Sequence, residues 1–176
     1  MEFKKRVDIN FKNKKYSIKQ LKKAHIDSKY LQSIEKYKFF LSFPETTIHK
    51  QKDYIDKIIL SKNKIILGLY KDKNLIFSSG LQLLKKNKIS LGILNIDSKY
   101  LNKGMAKVFL YTIMRFFKNY LNTKYFIAGV SIQNLPSIKL FKSLNFRSKE
   151  KNKKNCLFQI NSNNLKNIKY LTIETK

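Results

Sequence analysis

The chain has 176 residues, of which 43% are hydrophobic, and it carries a formal net charge of +27. This length suits a single domain, and the apolar content excludes a disordered chain. The single cysteine, Cys156, excludes a disulfide framework within the chain and a zinc site built from paired cysteines, so no metal is expected.

The positive charge comes almost entirely from lysine spread along the chain, with arginine only at positions 6, 115 and 147. Lysine together with abundant Asn, Ile, Tyr and Phe is typical of an AT-rich genome. No known nucleic-acid motif is present, so a nucleic-acid partner is the weaker interpretation. The sequence shows neither the roughly 20-residue apolar run of a membrane span nor the apolar core of a signal peptide. We therefore expect a cytoplasmic protein without a membrane partner.

The first half of the chain predicts one strand and two helices. A strand over 16–21 precedes helices over 26–37 and 47–60. Thr46 or Thr47 is placed to cap the second helix. Four residues form the predicted buried stripe of that helix: Ile48, Ile55, Ile58 and Ile59.

The middle of the chain predicts an antiparallel meander of three strands, over 64–70, 75–83 and 88–96. A helix over 104–121 then leads to a buried strand over 125–130. A right-handed crossover places this strand parallel to 88–96.

The last elements are a helix over 135–144, which Asn134 caps and Asn145 ends, and a strand over 156–160. We assign 1–14 to a basic N-terminal extension and 15–160 to one domain. Residues 161–176 form a C-terminal tail.

The turn over 100–106 lies between a strand and an amphipathic helix. The free N–H groups of a helix's first turn attract anions, and Gly104 lets a phosphate approach the backbone. Lys99, Lys103 and Lys107 add positive charge nearby. The segment has neither the second glycine of an ATP-binding P-loop nor the three glycines of a dinucleotide fingerprint. By itself it indicates either a diphosphate cradle or an ordinary turn.

A second motif is more specific. Residues 130–146 read V-S-I-Q-N-L-P-S-I-K-L-F-K-S-L-N-F. This segment resembles the signature V-x-x-x-N-x-x-S/A-x-x-L-Y/F-x-x-x-G-F of the GNAT superfamily of N-acetyltransferases. The resemblance covers about 88–146, and the N-terminal half matches only in the order of its elements.

The resemblance implies an α/β (α+β) fold. Its central sheet is mixed and mostly antiparallel, about four helices flank it, and one parallel strand pair is splayed. It also implies acetyl-CoA as co-substrate, with the pantetheine arm between the splayed strands and the diphosphate on the Gly104 loop. The positions that match the cofactor contacts are Leu94, Asn95, Ile96, Leu101, Asn102, Lys103, Gly104, Met105, Ala106, Lys107, Asn134, Ser137 and Phe141.

Two positions depart from the family pattern. Leu101 replaces the usual Gln or Arg, so a side-chain contact to phosphate is lost. Phe141 replaces the tyrosine that serves many members as general acid, and a phenyl ring cannot protonate a thiolate. Either water or another group protonates the thiolate, or no acid is needed. Phe141 itself either lies near the sulfur or is only a packing residue.

The family often takes its general base from the strand before the glycine loop, but 89–96 contains no acidic residue. Asp97, at the end of that strand, Glu45 and His49 are the candidate bases, and His25 is a weaker one. A proton relayed by water, with no single essential base, is the alternative.

The sequence thus predicts an acetyl-CoA-dependent N-acetyltransferase that acts on a primary amine of a small molecule, such as a nucleotide-linked amino sugar. The aromatic residues at 37, 39, 40 and 43 either line an apolar wall for this acceptor or belong to the core. Three alternatives stay open: a protein N-terminal acetyltransferase, a CoA-binding fold without catalysis, and a basic nucleic-acid-binding module. We expect a monomer or homodimer.

Overall fold

The computed structural model describes Phe3 and residues 6–41, 47–84 and 87–175. These residues form ten strands in one sheet and four α-helices. In chain order the elements are β1 (Val7–Phe11), β2 (Lys14–Gln20), α1 (Ser28–Tyr37), α2 (Ile48–Ile59), β3 (Lys64–Lys71), β4 (Asn74–Leu84), β5 (Lys88–Leu91), β6 (Leu94–Asn95), α3 (Met105–Leu121), β7 (Tyr125–Ser131), α4 (Leu135–Ser143), β8 (Arg147–Lys151), β9 (Asn155–Asn161) and β10 (Leu171–Thr175).

The strand order across the sheet is β10-β1-β2-β3-β4-β5-β7-β9-β8, and β6 extends the pairing of β4. All neighbours are antiparallel except β5 and β7, which are parallel as the crossover through α3 requires. The predicted fold class is therefore confirmed, including the single parallel pair.

Two buried clusters hold the helices to the sheet. The larger one joins α3 and α4 to the sheet through residues such as Phe109, Phe126 and Phe141. The smaller one joins α1 and α2 to β3, β4 and β6, and it contains Tyr30 and Ile55. The sheet is thus a central layer with two helices on each side.

The predicted helix caps on α2 and α4 are present. The Thr47 side chain accepts a hydrogen bond from the Lys50 N–H, and the Asn134 side chain accepts one from the Ser137 N–H at 3.2 Å. Asn145 ends the α4 region with a left-handed φ of 66°. Thr46, the alternative cap of α2, lies outside the described residues.

The predicted stripe of α2 is wrong at two of its four positions. Ile48 and Ile59 are 40% and 42% exposed, whereas Ile55 and Ile58 are buried. The third buried residue of the helix is Gln51, four positions before Ile55. The face that meets the sheet therefore follows an i, i+4, i+7 pattern, and a polar residue occupies one of its positions.

The segments assigned to an extension and a tail both contribute strands. Val7–Phe11 pairs with Lys14–Gln20, and Leu171–Thr175 pairs with Val7–Phe11 at the edge of the sheet. Val7, Ile9 and Phe11 alternate toward the core as the strand period requires.

None of the helices in the described ranges is long and apolar enough to cross a membrane. Within the same ranges, no group of three or more His, Cys, Asp or Glu residues could hold a metal ion.

Candidate active site

The parallel ladder between β5 and β7 ends early. It contains three residue pairs, Lys88–Tyr125 through Ser90–Ile127. β7 runs on to Ser131, while the chain beyond β5 stays on the other neighbour, β4, through the pairs Ser78–Leu94 and Phe77–Asn95. The chain around β6 and the second half of β7 therefore flank a gap in the sheet.

Backbone direction decides which residues face this gap. The N–H groups of Gly92 and Ile96 donate to β4, at 3.0 Å to the Gly80 carbonyl and 2.9 Å to the Ile76 carbonyl. Because successive residues of a strand point their N–H and C=O groups to opposite sides, those of Ile93 and Asn95 point away from β4, into the gap.

Of the three residues that the resemblance placed here, Asn95 therefore faces the gap with its backbone. Leu94 belongs to the ladder with β4. Ile96 has both groups engaged, since its carbonyl also accepts from the Ser33 hydroxyl at 3.4 Å.

The second half of β7 also directs backbone groups into the gap. The Ile132 N–H donates to the Lys154 carbonyl on the β9 side, so the alternate residue Gly129 directs its backbone groups to the gap. The Ser131 carbonyl instead accepts from the Asn134 N–H at 2.9 Å. Gly129 and Gly92 are exposed, and a Cβ added at either would meet no atom within 4 Å. Open space therefore lies over both walls.

Sequence reasoning did not select Gly92, Ile93 or Gly129. The available signal was a glycine inside each of two apolar strand runs, which often marks a place where a ligand or another chain segment approaches the backbone.

The loop before α3 presents free N–H groups. Asn102 and Gly104 both have left-handed φ angles, 58° and 77°. Gly104 is the N-cap of α3 and makes no side-chain cap. The N–H groups of Met105, Ala106 and Lys107, in the first turn of α3, therefore have no intrahelical acceptor, which suits an anion.

The side chains around this loop are mostly exposed. Leu101 is 39% exposed. Lys103 is exposed with its Nζ 6.0 Å from the centre of the Tyr100 ring, and Lys107 is half-buried. Lys99 follows Asp97 in the preceding 3-10 turn. The lysines leave a positive field at the N-terminus of α3.

The residues in and before α4 that match the family's cofactor contacts differ in burial. Asn134 and Ser137 are half-buried at the start of the helix and bonded to each other through the cap. Phe141 is 3% exposed and packs on Phe146 and Phe158, with ring centres 5.1 Å and 6.3 Å away. Phe141 is therefore a core residue.

Asp97 is poorly suited to act as a base. Its carboxylate accepts hydrogen bonds from Lys29 Nζ at 2.9 Å and from the Lys99 N–H at 3.0 Å. Partial burial raises its pKa, but these two donors and the lysine charges outweigh that effect, so the pKa lies below its ordinary value. Asp97 links α1 to the end of β6.

The other candidate bases are not gathered at the gap. The His49 side chain is 88% exposed at the start of α2, with Nε2 3.4 Å from Asp53 Oδ2. His25 Nδ1 accepts from the Lys22 N–H at 3.0 Å, so a neutral ring holds its proton on Nε2 and has no free basic nitrogen. Glu45 lies outside the described residues.

The aromatic segment after α1 is mixed in its burial. Phe39 is 86% exposed and Phe40 is 41% exposed, so neither is a core residue. Tyr37 is half-buried against the smaller cluster. Phe43 lies outside the described residues.

Solved structures similar to this chain include N-acetyltransferases. A mutant of spermidine N-acetyltransferase SpeG from Vibrio cholerae has a TM-score of 0.70 at 13% identity, over 84% of this chain and 94% of that chain. The ribosomal-protein-S5-alanine acetyltransferase from Vibrio fischeri has a TM-score of 0.68 at 12% identity, over 86% and 96%.

A third structure contains the coenzyme. RimL, a ribosomal L7/L12 alpha-N-protein acetyltransferase in complex with coenzyme A, has a TM-score of 0.70 at 11% identity, over 83% of this chain and 93% of that chain. No protein-family model matches the sequence, and no curated protein matches it. At these identities the likeness concerns the fold.

Proposed function

We propose that this chain, which has the GNAT fold, is an acetyl-CoA-dependent N-acetyltransferase that acts on a primary amine of a small molecule. The observation that carries the proposal is the early end of the β5–β7 ladder, at Ser90–Ile127, beside the uncapped N-terminus of α3. A gap between strands admits a long thin arm, and free helix N–H groups attract its diphosphate.

The residues at the gap suit acetyl-CoA. The N–H groups of Met105, Ala106 and Lys107 would hold the diphosphate, with the lysines around the loop adding charge. Backbone groups of Ile93, Asn95 and Gly129 would bond to the amides of the pantetheine arm. The bound thioester supplies the activated acetyl group.

The chain would position the thioester and stabilise the transition state with backbone N–H donors. An N–H on the Ile93–Asn95 wall would donate to the acetyl oxygen as negative charge develops there. The described residues at the gap include no free carboxylate or imidazole, because the Asp97 carboxylate already accepts hydrogen bonds from Lys29 Nζ and the Lys99 N–H. We infer that water takes the proton from the amine.

The charge around α1 and α2 favours an acceptor that is neutral or anionic. The described carboxylates of this region are engaged, and Asp27 caps α1. The other four contact basic side chains, in the pairs Glu35–Lys38, Asp53–His49, Asp56–Lys23 and Asp97–Lys29. With a net charge of +27, this arrangement disfavours a polycationic amine. We infer a nucleotide-linked amino sugar as the acceptor, and a monomer or homodimer.

The test combines binding and turnover. Calorimetry with CoA should give saturable binding, and acetyl-CoA should raise the melting temperature. Thiol release from acetyl-CoA is then followed with glucosamine, a UDP-linked amino sugar, spermidine and a peptide with N-terminal alanine. The proposal expects the highest kcat/KM for the nucleotide-linked sugar. Transfer to the peptide alone would favour the N-terminal acetyltransferase, and CoA binding without any transfer would favour a fold that has lost catalysis.

A further inference from the structure

A buried hydroxyl lies unpaired on the α1–α2 side of the sheet. Tyr70 is 3% exposed, and its hydroxyl has no hydrogen-bond partner among the described residues. The ring lies against Gly68, where an added Cβ would be 2.8 Å from the hydroxyl and 2.7 Å from a ring carbon. An unpaired buried hydroxyl destabilises the fold, and a phenylalanine would avoid that cost.

Further hydroxyls surround it. Tyr30, on α1, is hydrogen-bonded to the side chain of Ser78 and acts electrostatically on Tyr70. Gly68, which the Tyr70 ring covers, is the strand partner of Ser78. Tyr54, on α2, is half-buried beside this group. Burial raises the pKa of each of these tyrosines, so their phenols stay protonated and neutral.

One of these hydroxyls, that of Ser78, lies next to the β6 side of the gap. Ser78 is directly opposite Leu94 in the β4–β6 ladder, which places their Cα atoms about 5 Å apart. Tyr30 and Tyr70 belong to the same buried cluster as Leu94 and Ile96. Ser78 is therefore about one strand spacing from the backbone that faces the gap, and the Tyr70 ring, which lies over Gly68 on β3, is about two strand spacings from it.

We propose that Tyr70, with Tyr30 and Ser78, forms the polar end of the acceptor pocket, where the Tyr70 hydroxyl bonds to a hydroxyl or amine group of the acceptor. This inference rests on the proposed N-acetyltransferase function and deepens it. The three hydroxyls are neutral donors and acceptors, and the charged group beside them is the Lys19 ammonium, 5.9 Å from the centre of the Tyr70 ring. They therefore suit a hydroxyl-bearing moiety, such as the sugar of an amino sugar. Tyr70 is a positioning residue and does not remove the proton itself.

The test is Tyr70→Phe, measured with the UDP-linked amino sugar in thiol-release kinetics. The melting temperature should be unchanged or higher, because the variant removes an unpaired hydroxyl. The Kd for CoA should be unchanged. The acceptor KM should rise about three- to tenfold, the range that corresponds to one hydrogen bond. Tyr30→Phe should have the same effect on KM.

Tyr111→Phe is the matched control. Tyr111 lies on α3, and the substitution removes a hydroxyl that donates a hydrogen bond to Asn167 Oδ1 at 2.9 Å. It should lower the melting temperature and leave the acceptor KM unchanged. A second readout is the 19F resonance of 3-fluorotyrosine at position 70. It should move when the amino sugar is added to the CoA complex and stay in place when CoA alone is added.

The outcomes separate the two proposals. If wild-type protein acetylates the amino sugar and Tyr70→Phe has the wild-type KM with a higher melting temperature, the hydroxyl has no role in acceptor binding and the inference is wrong. If wild-type protein neither binds CoA nor transfers acetyl groups, the proposed function fails and this inference fails with it.

Discussion

The Ile96 N–H donates a hydrogen bond to the Ile76 carbonyl at 2.9 Å. This bond keeps the chain on β4 beyond Gly92, after the ladder with β7 has ended at Ser90. The register with β4 is the same on both sides of the interruption, as the pairs Leu81–Leu91 and Ser78–Leu94 show. The gap is therefore an interruption in pairing with β7 alone, and the outer edge of β6 is left available.

Gly129→Val should reduce CoA binding without unfolding the protein. The site has open space for the side chain, and valine suits a strand better than glycine, so the free energy of unfolding should be unchanged or higher by about 0.5–1 kcal/mol. The Kd for CoA should rise about tenfold or more, because the side chain narrows the gap. Gly80→Val is the matched control, since Gly80 is equally open but lies on β4. An equal loss of affinity in both variants would contradict the placement of the arm.

Gly104→Ala tests the loop before α3. At φ 77° an alanine is strained, so the free energy of unfolding should fall by about 1 kcal/mol. The Kd for CoA should also rise, because the added methyl group lies where a phosphate would approach. Denaturant titration and calorimetry measure the two effects. Asn102→Gly, at φ 58°, is the control and should leave the free energy of unfolding within about 0.5 kcal/mol of wild type. Wild-type CoA affinity in Gly104→Ala would show that the loop does not hold the diphosphate.

Phe141→Tyr should not restore a general acid. The new hydroxyl would enter a core lined by Phe146 and Phe158, and burying it without a partner should lower the free energy of unfolding by about 1–3 kcal/mol. The kcat should not increase. A stable variant with a raised kcat would show instead that this ring reaches the reacting sulfur.

Acid should destabilise the protein partly through His25. Burial lowers the pKa of His25 below its ordinary value of 6.5, and the charges of Lys22 and Lys19 act in the same direction. The unfolded state therefore binds more protons than the folded state, so this contribution is complete above about pH 6.5 and is lost as the pH falls. His25→Gln should show a smaller decline in the free energy of unfolding between pH 7.5 and pH 5. Identical slopes for His25→Gln and wild type would rule out the His25 effect.

The sequence predicted the helices and the parallel pair because local signals specify them. Caps such as Thr47 and Asn134, and the strand–helix–strand order around α3, are independent of distant contacts. β1 was missed because its lysine-rich flanks obscured a short alternating run, Val7–Phe11. β10 is a five-residue strand that, among the described strands, pairs with β1 alone, at the far end of the chain. Its pairing therefore depends on a tertiary contact that the local sequence does not predict.

The site was predicted less completely than the fold. The loop around Gly104 follows from its position before an amphipathic helix. Ile93 and Gly129 face the gap because the β5–β7 ladder ends at Ser90–Ile127. The sequence over 88–96 reads as one continuous strand, so it does not show where that ladder ends. The hydroxyl of Tyr70 acquires its environment only when β3, β4 and α1 come together.

A crystal structure of the protein with CoA would locate the coenzyme directly. The pantetheine arm should lie between the segment 93–95 and the segment 127–131, with the diphosphate on the N–H groups of 105–107. A CoA molecule bound elsewhere would show that the gap is not the coenzyme site. So would a continuous β5–β7 ladder, or a protein that leaves millimolar CoA unbound.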